Sequence, residues 1–231
     1  MKILNRARLT LTTTCAAFAL CAASPSFASL IYRIDIDTTE QRTSITTESG
    51  WTSLDASQGN NATVTVGSVT FGVFSAAGSR NRGNSNALMR DFIFDDGNAA
   101  AVGLTVSGLA AGIWEAAVYA WDASFTVGRQ IVGISQFQSA PETVFTSDFV
   151  ANETTPYKFQ FDSSALIDGF GIFTRENNDN SNRARFNALE LTLLSSPVPV
   201  PATLLLVVLG LLGIGARGTR IQSTRYPRLV R

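Results

Sequence analysis

The chain has 231 residues, with 18 Lys and Arg, 18 Asp and Glu and no histidine, for a formal net charge of zero. That zero averages unlike parts: all 18 acidic residues lie between Asp35 and Glu190, but only ten basic ones, Arg33 to Arg185, accompany them, so the central region carries −8. An acidic region with no basic cluster argues against nucleic-acid binding, and a chain without histidine cannot build a His-dependent triad.

The N-terminus reads as an export signal. Lys2, Arg6 and Arg8 precede a mostly apolar run, Leu9 to Ala23, interrupted by Thr12 to Thr14. Ser26-Phe27-Ala28 then offers small residues at the positions a signal peptidase reads, which places cleavage between Ala28 and Ser29 and makes 1–28 a signal peptide. An uncleaved anchor is the alternative, and the short run and small-residue site stand against it. Leu20 before Cys21 disfavours a lipoprotein, where a small residue is expected. Cleavage removes Cys15 and Cys21, the two cysteines. The exported chain then has neither disulfides nor zinc ligands nor a thiol nucleophile, so its core alone must hold it together.

Residues 29–195 are long enough for one domain with a single core. No helical period persists there. Short runs alternate apolar and polar residues: 31–36, 69–74, 102–106, 112–121, 157–161, 170–174 and 185–193. Many short runs rich in Val, Ile, Thr and Phe, separated by Gly, Asn, Asp and Ser, predict an all-β sandwich or barrel of antiparallel strands.

Gly50-Trp51-Thr52 places an aromatic in a loop, where binding residues concentrate. A tryptophan capping one end of a sandwich is the plainer reading. Residues 78–86, with Arg80 and Arg82, read as a polar loop. Arg90 and Asp91 follow at a strand entrance, as a structural salt bridge or a hydroxyl clamp. Asp95-Asp96 and Glu176 to Asn182 are rich in the oxygen ligands calcium takes, yet neither has the spacing of a calcium loop, so solvated turns are favoured over a structural calcium. No cofactor is expected.

The hairpin Leu104 to Asp122 turns at Gly108 and Gly112. Alternation sorts its second strand into two faces. Trp114, Ala116, Val118 and Ala120 read as core; Ile113, Glu115, Ala117, Tyr119 and Trp121 share the other face. Tyr119 and Trp121, two residues apart with Glu115 in line, can form a flat platform for a sugar ring, with Asp122 accepting hydrogen bonds from its hydroxyls. The competing reading buries both aromatics in a second core face. This hairpin resembles that of galactose-binding-like and malectin-like jelly-roll domains, a resemblance shared by Gly50-Trp51-Thr52, Leu88 to Gly97 and Phe186 to Leu191. It implies a jelly-roll β-sandwich over 29–195 and says little of function.

The C-terminal segment, 196–231, holds Val198-Pro199-Val200-Pro201-Ala202, an apolar run to Ala216, and a tail with five arginines and no acid. The run from Ala202 to Ala216 is 15 residues, short against the about 20 of a usual span. Basic residues stay on the cytoplasmic side, so the upstream domain faces outward. The Pro motif, the apolar run with Gly210, Gly213 and Gly215, and Arg217 resemble a PEP-CTERM sorting signal, with Val200 where Glu is usual and a longer tail. The resemblance implies a membrane-anchored precursor, an exosortase-type membrane protease as partner, and delivery to the cell surface or extracellular matrix of a Gram-negative bacterium that makes exopolysaccharide.

The expectation is therefore an exported, non-enzymatic domain that binds extracellular polysaccharide or builds structure. The alternatives are a carbohydrate-active hydrolase or lyase, for which two carboxylates about 5 to 9.5 Å apart suffice, and a surface protein without a ligand.

Overall fold

The computed structural model describes residues 29–41, 45–83, 86–97, 101–122, 129–136, 142–166, 169–177 and 183–197. The chain divides into two units, Met1–Ser195 and Ser196–Arg231, and the elements below belong to the first. Ala28 of the expected cleavage site, and Val198, Pro199, Pro201, Ala202 and Arg217 of the expected sorting segment, lie outside the described residues. Among the described residues no helix is long and apolar enough to cross a membrane.

Alternation becomes strands with one face turned inward. A five-stranded sheet runs, in spatial order, β11 (Tyr157–Asp162), β8 (Ile113–Tyr119), β14 (Ala188–Ser195), β1 (Ile31–Asp37) and β2 (Thr52–Asp55). Its pairings are antiparallel except that of β1 with β2. A six-stranded antiparallel sheet runs β10 (Thr143–Val150), β9 (Arg129–Gln136), β12 (Phe170–Glu176), β7 (Ala101–Ser107), β4 (Val69–Phe74) and β3 (Thr63–Val66). A third holds β13 (Ala184–Phe186), β6 (Asp91–Asp95) and β5 (Gly78–Asn81). The fold is all-β, and its three sheets are consistent with a β-sandwich.

Aromatic contacts join the two large sheets. Tyr32 of β1 meets Phe71 of β4 with centroids 5.9 Å apart, Phe145 of β10 stacks on Phe159 of β11 at 4.1 Å, and Phe161 of β11 meets Phe170 of β12 at 5.3 Å. Trp114, Ala116, Val118 and Ala120 lie in this core, as the alternation predicts. The β7–β8 turn keeps Gly108 at φ +77°, and a Cβ there would strike the Ser68 carbonyl oxygen.

Six of the seven predicted runs form β1, β4, β7, β8, β11 and β12. The seventh, 185–193, is interrupted at Asn187, where the chain passes from the third sheet into the five-stranded one. The 78–86 stretch is not a loop throughout. Residues 78–81 form β5, because Ser79 and Asn81 turn inward: the Ser79 and Thr38 hydroxyls lie 2.8 Å apart, and Asn81 Nδ2 donates to the Thr38 carbonyl at 3.4 Å.

Candidate functional site

Trp51 and Tyr119, 68 positions apart in the sequence, meet edge to face with centroids 5.6 Å apart and planes at 83°, and both are half-buried. Trp51 is placed by a tight turn in which its N–H donates to the Glu48 carbonyl at 3.0 Å. Gly50 stands third in that turn at φ +80°, the position that asks for glycine. Tyr119 ends β8. Burial, then the nearby Glu190 carboxylate, raises the pKa of its phenol.

Around Tyr119 the outward face of the five-stranded sheet carries crossed ion pairs. Arg33 Nε lies 2.7 Å from Glu190, and Lys158 Nζ lies 3.0 Å from Glu115. The register sets Arg33 opposite Glu190, and Ala117 between Glu190 and Lys158. The hydrogen bond from Lys158 to Glu115, and then the charge of that carboxylate, raises the Lys158 pKa.

Trp121 lies beyond the end of β8. Its ring packs against the core, and its buried indole N–H has no acceptor. Trp51, rather than Trp121, is the ring partner of Tyr119. Asp122 is fully buried in a charge cluster, with Arg82 Nε at 3.3 Å and Arg185 Nε at 3.4 Å. Arg185, also fully buried, reaches Asp96 at 3.1 Å and lies over the rings of Phe92 and Phe94, 5.5 and 5.2 Å from their centroids. Burial lowers the Arg185 pKa, while Asp96 and then Asp122 support its charge. Asp122 is thus engaged by two guanidinium groups.

A residue with no sequence signal organises this region. Asn187 is fully buried and makes four hydrogen bonds. Its N–H donates to the Tyr119 carbonyl at 2.8 Å and its own carbonyl accepts from Ile36 N–H at 2.9 Å. Its Oδ1 accepts from Trp121 N–H at 2.6 Å and its Nδ2 donates to the Asp91 carbonyl at 3.0 Å. One residue, through its backbone and its side-chain amide, therefore ties β1, the end of β8 and the start of β6 together.

Three carboxylates sit close to this junction. Asp35, Asp37 and Asp91 are all fully buried. Asp35 Oδ2 accepts from Glu48 N–H at 2.7 Å and Asp37 Oδ2 from the Thr47 hydroxyl at 2.6 Å. Among the described residues the other oxygens of both, and both oxygens of Asp91, have no donor in good hydrogen-bond geometry, and the Thr38 N–H bears only loosely on Asp91. Burial, then repulsion from Asp37 and Asp91, pushes Asp35 up to about 8 against a partial offset from the Glu48 N–H. Burial and the Asp37 charge push Asp91 up to about 7, against a partial offset from the nearby Arg90 charge and the Thr38 N–H. Asp91 forms no ion pair with Arg90, because it points inward while Arg90 stays half exposed.

Asp95 accepts from Gly97 N–H at 2.6 Å in a turn, whereas Asp96 pairs with Arg185. Glu176 is buried and its carboxylate accepts no hydrogen bond; residues 178–182 lie outside the described residues. Among the described residues no group of three or more His, Cys, Asp or Glu is arranged to hold a metal ion.

An open cleft of about 320 Å³ lies between residues 40–41, the 3₁₀ turn Ala56–Asn61 and β5, lined by Glu40, Gln41, Ser57, Ser79, Arg80 and Phe94. The Arg80 guanidinium stands over the Phe94 ring, 4.5 Å from its centroid, and forms no ion pair among the described residues. No family model, no curated protein and no solved structure matches the chain.

Proposed function

We propose that the domain is a jelly-roll β-sandwich exported to the cell surface, where it binds extracellular polysaccharide without chemistry. The observation that carries this reading is the Trp51–Tyr119 pair. Its two half-exposed rings adjoin a face where Arg33, Glu190, Lys158 and Glu115 offer charged hydrogen-bonding groups. An apolar ring surface beside convergent polar groups is the composition of a small-ligand site. Trp121 and Asp122 then act behind the site: the first packs on the core, the second neutralises Arg82 and Arg185.

The non-enzymatic reading is supported by where the unusual carboxylates lie. A glycoside hydrolase needs one acid with a raised pKa in reach of its substrate. Asp35 and Asp91 have raised pKa values but are sealed from solvent. Export and sorting rest on the sequence at 1–28 and 196–231, with an exosortase-type protease as the processing partner.

Native electrophoresis of the full chain through gels containing the host exopolysaccharide tests the reading. Retardation that Trp51→Ala or Tyr119→Ala abolishes, with both variants folded by circular dichroism, is the expected result. Release of reducing ends from the polysaccharide would overturn the non-enzymatic part, and unretarded migration would overturn binding. For the sorting step, the mature surface protein should lack Arg231 by mass spectrometry; an intact C-terminus in the surface fraction contradicts processing near Pro199.

A further inference from the structure

We infer that Asp35, Asp37 and Asp91 form a proton-held latch, which pins the 45–51 segment and with it Trp51 onto the sheet and opens when the protons are lost. Alternation along β1 turns Tyr32, Ile34 and Ile36 to the core and leaves Arg33, Asp35 and Asp37 on the opposite face. Arg33 is exposed on that face, yet Asp35 and Asp37 are fully buried. Segment 45–51 reaches both there: Glu48 N–H and the Thr47 hydroxyl hydrogen-bond the two carboxylates. The next turn carries Trp51 to Tyr119.

The charges facing this cluster do not balance. Asp37, Asp91 and Glu48 bear on Asp35, and Asp37 and Arg90 bear on Asp91. On β2, Asp55 is the register partner of Asp37, but its carboxylate is committed to Ser57. On β5, Ser79 and Asn81 are neutral, as is Asn187 at the β13–β14 junction. Among the described residues Arg90, half exposed, is thus the cation that bears on this group of acids. Among the described residues four carboxylate oxygens have no donor in good geometry, with only the Thr38 N–H bearing on Asp91, and a buried acceptor without a donor is costly. A carboxylic proton on Asp35 or Asp91 removes a charge and supplies the missing donor. When a base in solution takes it, two or three anions remain beside the carboxylates that hold 45–51, and their repulsion is relieved by releasing that segment.

Both raised pKa values set the direction: the latch holds in acid and weakens as the pH rises through about 7 and about 8. The latch stands on its own geometry; only its consequence, that ligand affinity falls in alkali, rests on the polysaccharide reading.

Amide hydrogen exchange on the full chain in nonionic detergent, expressed as protection factors, tests the latch without any ligand. Protection at the Glu48 and Trp51 amides should fall roughly tenfold or more between pH 6 and pH 9, while the Ile36 amide, bonded to Asn187, stays protected. Asp91→Asn should reduce the fall, and Asp35→Asn, which keeps an acceptor for Glu48 N–H, serves equally if the first does not fold. Equal protection at pH 6 and pH 9, or an equal fall in a folded Asn variant, overturns the latch. So does recovery of protection at pH 9 on adding millimolar calcium chloride, which would make the cluster a cation site. A polysaccharide gel shift lost with Trp51→Ala but unchanged by pH would leave the binding reading standing and remove the latch.

Discussion

Two groups of charged side chains are buried in this domain, and they are built on opposite terms. Around Arg185 the charges cancel, with Arg82 and Arg185 facing Asp122 and Asp96, and Phe92 and Phe94 offering ring faces to the same guanidinium. Around Asp35 they do not: among the described residues three carboxylates share the nearby Arg90 guanidinium and a handful of neutral donors. Burial penalises charge in both places. In the first it is offset by counter-charge. In the second, protons are the remaining means of neutralisation. The first cluster is therefore a fixed support and the second a conditional one, although Asn187 and the ends of β1 and β6 bring them close together.

The difference can be broken from either side. The largest effect is expected from Arg185→Met, which strips Asp122 of a buried partner and should cost about 3–5 kcal/mol. Urea unfolding at pH 6 and pH 9 should show similar losses, since the partners it removes are paired charge to charge. Asn187→Ala leaves the Trp121 backbone N–H and the Asp91 carbonyl without their side-chain partner, a loss of about 2–6 kcal/mol at about 1–3 per orphaned group. Differential scanning calorimetry would read it as a lower Tm at every pH. Asp91→Asn should act on slope instead. Each proton the native state holds and the unfolded chain does not lowers stability by about 1.4 kcal/mol per pH unit. With both Asp35 and Asp91 raised, stability is greatest below pH 4 as far as these groups decide it, and is lost as the pH climbs through their folded values. The Asn variant removes one such proton and should flatten the curve between about pH 4 and pH 7. Glu190→Gln, on the exposed ladder with Arg33, should change stability by about 1 kcal/mol or less at any pH.

The strands were legible because alternation is a local property. Ile31 to Ile36 and Gly112 to Trp121 show their inward faces in the sequence itself, and the buried set Trp114, Ala116, Val118 and Ala120 follows from it. The same rule concealed the acidic cluster. It puts Asp35 and Asp37 on the polar face with Arg33, and the segment that hydrogen-bonds them, ten to thirteen residues further along, carries no periodic signal. Asp122 and Arg185 are 63 positions apart, so a carboxylate at a strand end read as a ligand for hydroxyls when it is engaged by two arginines. Asn187 gave no sign at all, lying inside what looked like one continuous strand. For the candidate site, Gly50 beside Trp51 marked a loop aromatic and Tyr119 marked a strand end, but only tertiary packing shows that the two rings meet. Ser79 and Asn81 hid β5 for a related reason: polar residues usually mark a loop, and here they turn inward to Thr38.

The most direct test of this division is the unfolding free energy of the unmodified full chain, measured by urea titration at intervals from pH 5 to pH 9. The account predicts a continuous fall in stability across that range, steepest below about pH 7 and complete near pH 8 to 9. A profile that is flat, or that rises toward alkaline pH, would mean that the Asp35, Asp37 and Asp91 carboxylates are ionised and compensated in the folded domain, and the contrast between the two clusters would fall.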